Sequence, residues 1–83
     1  MRTYKVVRAI SFVSWQIKTA TIHAEDPAEA IELARDSSTL WSPVPAAYMP
    51  GPDTLLREPG FSADLLKDHD LRELIENAML EAE

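Results

Sequence analysis

The sequence predicts a small α+β domain. It reads as a ββα unit, an antiparallel hairpin or three-stranded sheet packed by helices, with a Pro-rich irregular connection and a C-terminal amphipathic helix. Three observations predict it. Residues 3–24 are dense in β-branched and aromatic side chains, two segments carry helix-start signals, and proline and glycine concentrate between them. At 83 residues the chain holds one domain, residues 1–83, because a second core cannot be built in this length.

The first segment, 3–24, is too long for one ordinary strand. Tyr4, Val6, Val7, Ile10, Phe12, Val13, Trp15, Ile17 and Ile22 favour a pleated surface, so the segment is expected to fold as a hairpin. It contains no Gly, Pro, Asn or Asp, and Ser11 and Ser14 are the only weak turn formers, so the reversal is placed at Ser11–Ser14. Beyond it, Ala20, Ile22 and Ala24 alternate with Thr19, Thr21 and His23, which suggests one packed and one wet face.

A helix is expected over 26–36. Asp26 suits the N-cap, Pro27 the first helical position, and Glu29 completes a capping box. Ala30, Ile31, Leu33 and Ala34 supply the apolar stripe. Residues 37–60 hold five of the six prolines and both glycines, so no regular helix crosses them. A short edge strand near Leu40–Trp41 or Ala46–Met49, and a helical turn from Pro52, are expected there. Residues 62–82 read as a broken helix or two short helices. Phe61-Ser62 opens the first piece, with Leu65 and Leu66. Asp70 and Glu73 then cap a second, whose Leu71, Leu74, Ile75, Ala78, Met79 and Ala82 share one stripe. A two- or three-stranded sheet with helices on one face is the economical assembly.

Charge is separated along the chain. Residues 1–24 carry Arg2, Lys5, Arg8 and Lys18 and no acid, whereas all fourteen acids lie in 25–83 against four cations, for a net charge of -6. With no cysteine, disulfides and thiolate metal sites are excluded. The N-terminus has no apolar h-region and no run is long enough to span a bilayer, so a cytoplasmic protein without membrane contact is expected.

Signals for catalysis are poor, and no enzyme activity and no cofactor are expected. His23 and His69 are the only histidines, and Asp68-His69-Asp70 falls short of a metal site because Asp70 is better explained as an N-cap. No serine sits in a nucleophile elbow. The glycines of Pro50-Gly51-Pro52 and Pro59-Gly60 are flanked by prolines, which lack the N–H groups of a phosphate cradle.

Binding surfaces remain. The leading candidate is an acidic helix face, Asp64, Asp68, Glu73 and Glu76, together with the loop aromatics Trp41 and Tyr48. Such an array opposes a Lys/Arg-rich groove as a stand-in for phosphates. The alternative is nucleic-acid binding by the basic hairpin, through Arg2, Lys5, Arg8 and Lys18 with interleaved aromatics. A sequence pI near 4.8 argues against it. A third reading is a homodimer or larger homo-oligomer pairing through a strand edge.

The stretch Tyr4–Ala34, with Ile22-His23-Ala24-Glu25-Asp26-Pro27-Ala28-Glu29-Ala30-Ile31 at its end, resembles the strand-strand-helix opening of short proteins carried by phages and plasmids, some small anti-CRISPR proteins among them. The likeness covers less than half the chain, and no functional residue carries over from it. It implies a domain that works by binding. Anti-CRISPR proteins typically inhibit bacterial nucleoprotein defence complexes by occluding a DNA-binding groove or blocking nuclease recruitment. The expected partner is therefore a nucleic-acid-handling protein complex.

Overall fold

The computed structural model describes residues 1–11, 15–36, 38–48 and 60–81. Strands β1 (Arg2–Ser11) and β2 (Trp15–Ala24) lead into helix α1 (Pro27–Ala34). A two-residue strand β3 (Ser42–Pro43) and a 3-10 turn (Ala46–Tyr48) follow, then β4 (Gly60–Leu65) and helix α2 (Leu71–Glu81). The strands form one antiparallel sheet in the order β3-β2-β1-β4. The fold class is α+β, as the sequence predicts.

The hairpin ladder runs from Arg2 opposite Ala24 to Ser11 opposite Trp15, so the reversal falls between Ser11 and Trp15. Residues 12–14 lie outside the described residues, as do the Pro52 turn, Met49 and Ala82. Side chains alternate across a strand. Tyr4 and Val6 therefore point to one face of the sheet and Val7 and Ala9 to the other, and all four are buried. In β2 the buried parity changes as well: Trp15 and Ile17 on one face, Ala20 and Ala24 on the other.

The cause is the placement of the helices. Ala30 and Ala34 of α1 pack with Tyr4, Val6 and Ala24, whereas Leu74, Ile75 and Ala78 of α2 pack with Val7, Ala9, Trp15 and Ile17. The helices thus lie on opposite faces, toward opposite ends of the hairpin, and not together on one face as expected. Each long strand must be apolar on both sides over part of its length, which is why 3–24 reads as an almost unbroken apolar run. Between the helices, the chain carries Trp41 to the α1 face, pairs Ser42 and Pro43 on the outer edge of β2 at Thr19 and Lys18, and delivers Val44 and Tyr48 to the α2 face. The edge strand lies at Ser42–Pro43, beside the two expected positions, and Ala46–Tyr48 is a 3-10 turn.

The second correction concerns residues 60–65. They form strand β4 beside β1, and not the first piece of a helix. Gly60 and Ser62 point to the α2 face, while Phe61, Ala63 and Leu65 pack on the α1 cluster, a period of two that helical phase does not accommodate. The expected break comes at a turn through Leu66–Asp68.

Both helix starts match expectation. Asp26 Oδ1 accepts from the Glu29 N–H at 2.8 Å, with Pro27 in the first turn. Asp70 Oδ1 accepts from the Arg72 N–H at 3.0 Å. In α1, Ala30 and Ala34 are buried and Ile31 is half-buried, but Leu33, placed in the stripe by the sequence, is 45% exposed.

Candidate interaction surfaces

The predicted acidic residues fall around the seam between β4 and α2. Asp64 sits on the last turn-ward stretch of β4, half-buried, opposite Lys5 in register, with its Oδ1 accepting from the Leu65 N–H at 2.8 Å. Asp68 is exposed on the turn that follows. Glu73 and Glu76 are exposed on α2, and Glu73 stands in the first turn, where the helix dipole favours an acid. Asp64, Asp70, Glu73 and Asn77 line one groove along the seam. Glu76 borders a second depression on the other flank of α2, with Tyr48, Arg72 and Met79.

Sequence reasoning grouped these residues as one face; the structure brings Asp64 to Glu73 and Tyr48 to Glu76, on either side of the same helix. Arg72, the one cation in the α2 sequence, has its guanidinium 5.7 Å from the Tyr48 ring centroid. The aromatic pair is separated: Tyr48 packs on the α2 face and Trp41 on the α1 face.

The four N-terminal cations are divided too. Arg8 and Lys18 are cross-strand partners on the α1 face. Lys5 has the opposite parity, and its Nζ donates to Thr21 Oγ1 at 3.3 Å. Arg2 lies at the far end of β1, beside Leu65, Leu66 and Asp68. A single basic surface over all four does not form.

Two residues that sequence reasoning did not select join Arg8 and Trp41. Phe61 pairs with Trp41, ring centroids 6.4 Å apart at 52°, and the Arg35 guanidinium lies 4.7 Å from the Phe61 centroid. Arg8 itself lies 6.0 Å from the Trp41 centroid. The available signal was the strand alternation around Phe61, which places it beside Arg8 once 60–65 is read as β.

The histidines are occupied locally. Thr3 Oγ1 and His23 Nδ1 are 3.1 Å apart, and His69 Nδ1 contacts the Leu66 carbonyl. Among the described residues no group of three or more His, Cys, Asp or Glu side chains could hold a metal ion, and no helix is long and apolar enough to cross a membrane. No protein-family model, curated protein or solved structure matches the chain.

Proposed function

We propose that the chain is a non-enzymatic binding module whose acidic seam engages a cationic groove on a protein partner. One observation carries this reading: Asp64 from β4 and Glu73 from α2 line the same groove, with Asp70 between the two elements. Strand β4 and helix α2 thus bring carboxylates distant in sequence to one groove. Glu76 and Tyr48 extend the surface over the far flank of α2 and supply an aromatic contact beside the charge.

A row of carboxylates competes with phosphates for Lys and Arg side chains. Together with the resemblance of the strand-strand-helix opening to small phage and plasmid proteins, this gives the proposal its concrete form. The chain is an inhibitor from a mobile element, acting on a host nucleic-acid-handling complex such as a CRISPR effector. The test is charge reversal in E73K/E76K. Binding to such a complex should weaken and lose most of its salt dependence. Unchanged affinity at low salt would remove the acidic seam from the interface.

A further inference from the structure

We propose a second interaction surface, for single-stranded nucleic acid, on the half of the α1 face that α1 leaves open. Arg8, Lys18, Trp41, Phe61 and Arg35 build it. Arg8 and Lys18 stand directly opposite each other on neighbouring strands. Like charges in that position destabilise a sheet unless an anion sits between them. No ion pair to either is found among the described residues, and the Arg8 Nε is buried with no hydrogen-bond partner there. Lys18 is exposed to an incoming acceptor, and Arg8, whose Nε is shielded and unpaired, gains one by turning outward.

The rings decide which anion. Trp41 and Phe61 are half-buried, so part of each remains open, and Arg8 and Arg35 flank them. Besides its place over the Phe61 ring, Arg35 has only an exposed contact with Glu32 at 3.8 Å, which is weak in water. Cations placed around open aromatic rings fit a ligand with both phosphates and π faces. A carboxylate peptide would satisfy the cations and leave the rings unused. A duplex keeps its bases stacked on one another, so an unpaired strand is the form that fits. The overall charge of -6 and the exposed Glu32 and Asp36 beside Arg35 oppose a polyanion, which leaves Arg8 and Lys18 as its main cationic contacts, but the exposed acids of α2 lie on the other face of the sheet. Screening limits their reach to roughly 8 Å at physiological ionic strength.

The experiment is fluorescence anisotropy with labelled oligothymidylate and oligouridylate of about 20 nucleotides, at low salt and over a salt series. A duplex of the same length and polyglutamate serve as comparators, and circular dichroism checks each variant. Wild type should bind the single strands with a log–log salt slope of about -2, for roughly three phosphate contacts. R8Q/K18Q should weaken binding about tenfold or more and flatten that slope, W41A should weaken it about tenfold, and W41F should retain most of it. R2Q/K5Q, at the other end of the hairpin and with Lys5 on the other face, should leave it within about twofold. If W41A fails to fold, R8Q/K18Q and W41F decide. No binding by wild type would overturn the proposal. So would equal loss in R2Q/K5Q, or binding of duplex or polyglutamate as tight as that of the single strands. E73K/E76K should not weaken this binding, so its failure and that of the acidic-seam reading are read separately.

Discussion

The Ser62 hydroxyl donates to the main-chain carbonyl of Leu74, a buried hydrogen bond that ties β4 to α2. Ser62 is two residues from Asp64, and Leu74 follows Glu73, so this one bond sits beneath the groove where the two acids meet. Apart from the aromatic Tyr4 and Trp15, Ser62 carries the only buried polar side chain among the described residues.

Replacing Ser62 by Ala should therefore cost about 1 kcal/mol, the ordinary net value of an intramolecular hydrogen bond. For a domain of this size that lowers Tm by roughly 4–8 °C. Urea unfolding and thermal melts check it. A variant as stable as wild type would show that packing alone holds the seam.

Asp26→Ala should cost about 1 kcal/mol through loss of the α1 cap, because the Glu29 N–H then loses its side-chain acceptor. Asp26→Ser should recover most of that. Equal stabilities of the Ala and Ser variants by urea unfolding would contradict a capping role.

Ala30 is fully buried where α1 crosses Tyr4, Val6 and Ala24. A small side chain lets the helix lie close to the sheet, so Ala30→Leu should overpack the cluster and destabilise by about 1–3 kcal/mol. Leu33→Ala, on the exposed side of the same helix, should change stability by about 0.5 kcal/mol or less. The two variants compared in one denaturation series test which face of α1 is packed.

Asp36 accepts hydrogen bonds from the Ser38 N–H and, secondarily, the Ser38 hydroxyl, and both hold its carboxyl below the ordinary aspartate pKa. A lowered folded-state pKa stabilises above the unfolded value and is lost as the pH falls through the folded value. An NMR titration should place the Asp36 midpoint below that of an unstructured aspartate. Ser38→Ala should raise it only part of the way, since the backbone bond dominates. A midpoint at the ordinary value would show that the Asp36–Ser38 turn does not form in solution.

Much of the fold is legible in the sequence because its signals are local. Asp26-Pro27 and Asp70 mark helix starts through hydrogen bonds to residues within three positions. The α2 stripe of Leu71, Leu74, Ile75, Ala78 and Met79 follows from helical period. β4 was hidden because Phe61, Leu65 and Leu66 are spaced ambiguously, and only the pairing of Val6 with Ala63 and Arg8 with Phe61, far apart in sequence, selects the strand. The site was legible by residue type but not by grouping. Trp41 and Tyr48 are seven positions apart, yet the chain crosses the edge of β2 at Ser42–Pro43 between them and leaves them on opposite faces. Arg2, Lys5, Arg8 and Lys18 divide for the same reason: strand parity and distance along the hairpin separate residues that composition lumps together.

The most direct test of the acidic seam is a paired pull-down from bacterial lysate with tagged wild type and tagged E73K/E76K, each with and without nuclease. Wild type should retain a nucleic-acid-binding protein that resists nuclease, and E73K/E76K should lose it while keeping the folded circular dichroism spectrum. Retention of the same protein by both forms, or recovery only of nuclease-sensitive material, would contradict the acidic seam as the partner-binding surface.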